Sequence, residues 1–78
     1  MQLSDAIRLK INNLIKDNNV NVWYICKNTG IPCSTLTTFL NGKTTLIKID
    51  TLLHICEGFN ITLSDFFADE IFKEVESD

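Results

Sequence analysis

The chain of 78 residues has little proline or glycine, an odd number of cysteines and no long hydrophobic run. One proline and three glycines exclude a collagen-like or low-complexity chain. Three cysteines without a CxxC pair do not make the even disulfide set of a small secreted domain. No apolar run approaches the roughly 20 residues of a membrane span, and the first ten residues lack the pattern of a signal peptide. We therefore expect one soluble, cytoplasmic domain in a reducing environment.

Acidic residues are absent from residues 18–49, whose only charged side chains are Lys27, Lys43 and Lys48. Eight of the ten acidic residues lie within residues 50–78 and produce the net charge of −3. A polyanion tolerates this distribution if it meets the middle of the chain while the acidic end points away. The charge pattern therefore permits a nucleic-acid partner on one side of the molecule.

Apolar residues at spacings of three and four indicate short helices throughout the chain. The first helix begins after Ser4, a plausible N-cap, and ends at about residue 17. Further helices are predicted over about 22–28, 32–40 and 48–58, and from Leu63 onward after a capping box at Thr62. The last of them either ends near residue 68 or continues along the acidic tail. No strand is required, so the predicted fold class is all-α with five helices.

Residues 20–45, VNVWYICKNTGIPCSTLTTFLNGKTT, have the layout of a helix-turn-helix. Gly30 supplies the positive φ of the turn, Ile31 fills the space between the helices, and Pro32 opens the next helix. Apolar anchors at Leu36, Phe39 and Leu40 would leave a polar, uncharged face outward. The residues of that face are Ser34, Thr37, Thr38 and Asn41, with Cys33 and Thr35 at its edges.

This outer face contains hydroxyl groups and no carboxylate. An ordinary solvated helix face more often carries Glu and Lys, because Ser and Thr are mediocre helix formers. Hydroxyl groups hydrogen-bond to base edges or phosphates, and a threonine methyl group contacts a thymine methyl group. We therefore favour a DNA-facing helix over a merely solvated one.

Residues 6–67 resemble the Cro/cI-type (XRE-like) helix-turn-helix family, which implies a five-helix, lambda-repressor-like DNA-binding domain. The resemblance rests on the order and spacing of Ile25-Cys26, Thr29-Gly30-Ile31, Ser34-Thr35-Leu36, Asn41-Gly42-Lys43-Thr44, and the segments 49–56 and 59–67. It implies a domain over residues 1–68 followed by an acidic tail or helix extension over 69–78. The implied function is sequence-specific binding of double-stranded DNA by a small transcriptional regulator, expected to be a repressor.

The resemblance also implies roles for individual residues. The third helix would enter the major groove and read bases with Cys33, Ser34, Thr37 and Thr38. Phosphate contacts would come from the start of the second helix, from lysines and from the loop after the third helix: Asn21, Val22, Lys27, Asn41, Lys43, Thr44 and Thr45. The sequence lacks the Gln or Arg readers of better-known repressors, and Val22 replaces a residue that is polar in many relatives.

Several alternatives remain open at this stage. Apolar residues near the acidic end predict either a frayed tail or a homodimer contact through Phe67, Ile71, Phe72 and Val75. Trp23 or Tyr24 must be partly exposed, and either one, or the acidic C-terminus, would serve a protein partner. The rival functions are the antitoxin of a toxin–antitoxin pair and an interaction module that no longer binds DNA. His54 and the cysteines fit no common zinc spacing, so no metal, cofactor or enzymatic activity is expected.

Overall fold

The computed structural model describes residues 1–78 and contains five α-helices joined by short loops. The helices are α1 (Leu3–Asp17), α2 (Val22–Thr29), α3 (Cys33–Leu40), α4 (Ile49–Gly58) and α5 (Leu63–Phe67), followed by a 3-10 turn at Glu70–Phe72. No strand forms; a single isolated bridge joins Gln2 and Glu76. The predicted all-α fold with five helices is confirmed, and the predicted helix ends agree within about a residue for α2, α3 and α4. No helix has both the length and the apolar content to cross a bilayer.

The core of the molecule is one apolar cluster to which all five helices contribute. Its buried members are Ile7, Ile11, Ile25, Cys26, Ile31, Leu36, Phe39, Leu52, Ile55, Cys56 and Phe66. Helix α2 packs against both α3 and α4. Gly58 permits this approach, because a methyl group on it would lie 2.8 Å from Cγ2 of Thr29. The cluster thus fixes α3 through the residues predicted to anchor it.

The start of α1 is closed by the other end of the chain. Ser4, predicted to be the N-cap, instead lies inside the helix and is 2% exposed, while Gln2 occupies the N-cap position without a side-chain hydrogen bond. The Asp78 carboxylate accepts hydrogen bonds from the Ser4 hydroxyl and, at 2.9 Å, from the Ser4 backbone N–H. The predicted cap is therefore wrong: a residue 74 positions away satisfies the free amide.

The acidic tail neither frays nor extends α5. The backbone turns after Phe67, and Asp69 caps the 3-10 turn by accepting from the Ile71 N–H at 3.2 Å. Phe72 then packs against the core, with its ring centroid 4.9 Å from that of Phe67. A carboxylate oxygen of Asp69 lies 3.1 Å from Nζ of Lys10, which ties the tail to α1. Phe72 reaches the core because the chain turns back after Phe67. A continuous extension of α5 would not bring its ring there.

Two of the three cysteines form a disulfide. Cys26 in α2 is bonded to Cys33 at the start of α3, with their Cα atoms 5.4 Å apart. Cys56 is unpaired and buried. The odd cysteine count predicted a reducing environment without a disulfide, and this pairing differs from that expectation. The turn between α2 and α3 folds the chain back, so two cysteines seven positions apart meet.

Candidate nucleic-acid interface

The turn between α2 and α3 is held by local hydrogen bonds. Asn21 caps α2 by accepting from the Tyr24 N–H at 2.9 Å. At the other end, Gly30 adopts φ 75° and its N–H donates to the Cys26 carbonyl at 3.1 Å. The Thr29 hydroxyl donates to the Ile25 carbonyl at 2.6 Å and accepts from the N–H of Ile31. These bonds set the angle at which α3 leaves α2.

Helix α3 presents its hydroxyl-rich side to solvent. Leu36 and Phe39 are 1% and 2% exposed and fasten the opposite side to the core, while Leu40 is half-buried. Ser34, Thr35, Thr37 and Thr38 are all exposed, as are Cys33 at the start of the helix and Asn41 after its end. The predicted base-reading residues therefore share one accessible surface, except that the Cys33 sulfur is engaged with Cys26.

The predicted phosphate-binding residues lie at both ends of the helix-turn-helix. Asn21 and Lys27 are exposed and Val22 is half-buried; the Lys27 ammonium lies 4.9 Å from the centroid of the Trp23 ring. After α3, Asn41, Lys43 and Thr45 are exposed, and Thr44 is half-buried with its hydroxyl accepting from the Leu46 N–H at 3.1 Å. The side-chain Oδ1 of Asn21 is occupied by its capping bond from the Tyr24 N–H.

Arg8 in α1 holds the end of α3 and the loop beyond it, a role that the sequence analysis missed. Its Nε donates to the Phe39 carbonyl and its Nη2 to the Thr44 carbonyl, each at 2.7 Å. Nη1 pairs with Asp5 at 2.7 Å, and Cζ lies 4.9 Å from the Phe39 ring centroid. Arg8 is the only arginine of the chain, and this is the one feature of the sequence that distinguishes it.

The unpaired positive charge is concentrated on the helix-turn-helix side. Lys10 and Lys73 are paired with carboxylates, as is Arg8. Four lysines form no ion pair: Lys16 lies at the end of α1, and the other three, Lys27, Lys43 and Lys48, lie within residues 18–49. Two carboxylates of the tail interact with α1 or with the tail backbone. Hydrogen bonds from the Ser4 hydroxyl, the larger cause, and from the Ser4 backbone N–H lower the pKa of Asp78. The backbone N–H of Ile71, and then the Lys10 ammonium, lower the pKa of Asp69. The acidic tail is thus fixed beside α1 while the outer face of α3 stays exposed.

The family model of the Cro/C1-type HTH DNA-binding domain matches residues 10–70, which is most of the chain. The chain belongs to this family. Its helix-turn-helix is α2–turn–α3, so the predicted fold and resemblance are confirmed, and DNA binding is the function that the family carries. Cro/C1-type HTH domains are generally not enzymes. No curated protein and no solved structure matches the chain.

The surface of this HTH domain also carries several large apolar side chains. At least one of Trp23 and Tyr24 was predicted to be partly exposed, and both are, at 63% and 41%. Of the predicted dimer contacts, Phe67 is 39% exposed, while Ile71, Phe72 and Val75 are half-buried within their own chain. Two residues that the sequence analysis did not single out for exposure, Leu46 and Ile49, are 81% and 68% exposed.

Proposed function

We propose that the protein is a sequence-specific, double-stranded DNA-binding transcriptional regulator that represses by occupying its operator with α3 in the major groove. The observation that carries this proposal is the accessible surface of Ser34, Thr37 and Thr38 in a segment without carboxylates. Leu36 and Phe39 anchor that surface from behind, so it meets a duplex without unfolding any part of the core. As a DNA-binding regulator, the protein would act in the cytoplasm.

The proposed docking divides the contacts between base edges and phosphates. Hydroxyl groups of α3 would pair with base acceptors and donors, and the threonine methyl groups would contact thymine. The Val22 backbone N–H, at the positive end of the α2 dipole, would face a phosphate. Lys27, Lys43 and Lys48 would supply the salt-sensitive part of the affinity.

Two protomers would bind together, since one protomer offers few cations and no bidentate reader. A bidentate side chain contributes about 1–3 kcal/mol of discrimination per base pair, which single hydroxyls do not reach. Half-sites one helical turn apart, ~34 Å, would place one α3 of each protomer in successive major grooves on the same side of the duplex. Exposed apolar side chains at Leu46, Ile49 and Phe67 give this proposed homodimer a surface outside α3.

Selection of bound sequences from a random duplex pool tests the proposal most directly. We expect enrichment of a two-fold symmetric sequence with half-sites one turn apart. The variant Thr37→Glu, which places a carboxylate on the outer face of α3, serves as the matched negative control. Recovery of no consensus together with an affinity that ignores salt would contradict the proposal.

A second candidate function, favoured by the 63% exposure of Trp23, is binding of a protein partner. The antitoxin of a toxin–antitoxin pair would bind DNA and its partner at once, whereas an interaction module would bind the partner alone. The substitution Trp23→Ala distinguishes these functions from the regulator, since it should leave DNA affinity almost unchanged and abolish partner binding. A salt titration on random duplex separates the module, which would show no binding even at low salt.

A further inference from the structure

The disulfide joins a buried sulfur to an accessible one. Cys26 belongs to the core and is 9% exposed, whereas Cys33, the first residue of α3, is exposed. Cys56 is completely buried in α4, and burial raises the pKa of its thiol. A thiol that stays protonated and shielded is a poor nucleophile, so Cys56 does not compete for the pairing. An external thiol or disulfide therefore reaches the pair through Cys33.

Residues 32–35, at the start of α3, are exposed and lie between the buried side chains of Ile31 and Leu36, and they have few other restraints. The N-cap residue of α3 is Pro32, which offers no side-chain hydrogen bond, and no acidic residue follows in the first turn. By contrast, α2 is capped by Asn21, and α5 has a complete capping box. Helix α3 has eight residues, half of them Ser or Thr, which are weak helix formers. A helix this short is marginal without tertiary contacts, so the bond to Cys26 is the main restraint at its start.

The rest of the helix-turn-helix does not depend on the disulfide. The Gly30 N–H still donates to the Cys26 carbonyl, and the Thr29 hydroxyl still bridges the turn. Leu36, in the middle of the helix, and Phe39, near its end, keep their side chains anchored in the core. Reduction would therefore leave the domain folded and loosen only the start of α3, which is the part that presents Ser34.

We propose that Cys26 and Cys33 form a reversible thiol–disulfide pair that controls DNA docking, the disulfide form binding more tightly because the start of α3 is held in place. This inference rests on the proposed function. Disulfides of cytosolic proteins are mostly transient and catalytic or redox-sensing. A disulfide in a cytoplasmic regulator is therefore expected to be reversible. Ordering about one residue of α3 on binding would weaken the affinity of the reduced form about tenfold, equivalent to about 1.4 kcal/mol.

The oxidant is a low-molecular-weight disulfide of the glutathione class. The Cys33 thiolate attacks one sulfur of it, forming a mixed disulfide and releasing one small thiol. The Cys26 thiolate then attacks the Cys33 sulfur and releases the second small thiol. Two protein thiols lose two electrons, the external disulfide gains them, and the two protons pass to the released thiols. Reduction reverses both steps, with an external thiol attacking the exposed Cys33 sulfur.

The test compares the full chain equilibrated in oxidised and in reduced glutathione buffers. Acid quenching, then denaturation and alkylation before mass spectrometry, should find one free thiol, Cys56, in the oxidised chain and three in the reduced chain. In hydrogen exchange, the amides of Thr35 and Leu36, which bond to the Pro32 carbonyl, should be less protected after reduction. Titration of a labelled random-sequence duplex at low salt should show the tenfold difference in affinity.

Matched variants separate the possible results. Cys26→Ala should bind like the reduced chain in both buffers. Should Cys26→Ala fold poorly, Cys33→Ser repeats the test by hydrogen exchange at Thr35 and Leu36 alone, because Cys33 is itself a proposed base reader. Cys56→Ala should keep the full redox response. A pairing that involves Cys56, or equal affinities of the two forms, would overturn this inference alone. Binding by neither form would overturn the proposed function, and the exchange measurement would then decide whether the pair controls α3.

Discussion

The sharpest test of the proposed docking is the substitution Lys43→Ala. Lys43 follows α3 directly, is exposed and forms no ion pair, so its removal disturbs no contact within the domain. With Lys27 and Lys48 it makes three unpaired lysines per protomer on the helix-turn-helix side. Each cation placed on a phosphate of B-DNA adds about −0.9 to the slope of log K against log salt.

These charges give numerical expectations. Three contacts per protomer predict a slope of about −5.4 for the dimer, which is a loss of about 1,800-fold in affinity between 50 and 200 mM salt. Lys43→Ala removes one contact from each protomer and should reduce the slope to about −3.6. The loss over the same salt range then falls to about 150-fold. Fluorescence anisotropy on one duplex over a salt series measures both slopes.

Lys73→Ala provides the matched control. Lys73 is also exposed, but it lies in the tail and its Nζ is 3.0 Å from the Glu70 carboxylate. Its loss changes the net charge by the same amount and should leave the slope of the wild type unchanged. An unaltered slope for Lys43→Ala, or equal changes in both variants, would refute the assignment of Lys43 to a phosphate.

Three further predictions follow from the structure. Thr37→Glu should abolish duplex binding in an anisotropy titration, while thermal unfolding stays near that of the wild type because the position is exposed; binding that persists would remove α3 from the interface. Phe39→Ala should reduce the free energy of unfolding by about 3–5 kcal/mol in a urea titration, since the ring is 2% exposed; a loss below ~1 kcal/mol would mean that α3 is not anchored there. Because the pKa of Asp78 is lowered by Ser4, its stabilising effect is present above the ordinary value of about 3.9 and is lost as the pH falls through the folded value. Asp78→Asn should therefore flatten the pH dependence of unfolding below about pH 4, and an unchanged acid limb would contradict the contact.

The cysteine pair and the hydroxyl-rich face act on the same helix. Ser34 lies next to Cys33, so any loosening of the first turn moves a predicted reader. Arg8 secures the opposite end of α3 through the Phe39 and Thr44 carbonyls. In the structure α3 is therefore fixed at its C-terminal end by hydrogen bonds and at its N-terminal end by a covalent bond that thiols can break.

Local features of the sequence determined the helices and the turn. The spacing of Leu36 and Phe39 predicted which side of α3 faces the core, and Gly30 predicted the left-handed residue that ends α2. Periodicity and turn chemistry act over a few residues, so they are readable without a structure. The same reasoning predicted an exposed surface of Ser34, Thr37 and Thr38.

Only the tertiary structure decided the contacts between distant residues. Ser4 looked like a cap because serine often begins a helix, but the cap is the carboxylate of Asp78, which reaches α1 only when the tail folds back. The Arg8 contacts span 31 and 36 positions, and the meeting of Cys26 with Cys33 depends on the angle between two helices. These contacts depend on how the whole core packs. Each one forms only when the tertiary fold brings two separate elements of the chain together.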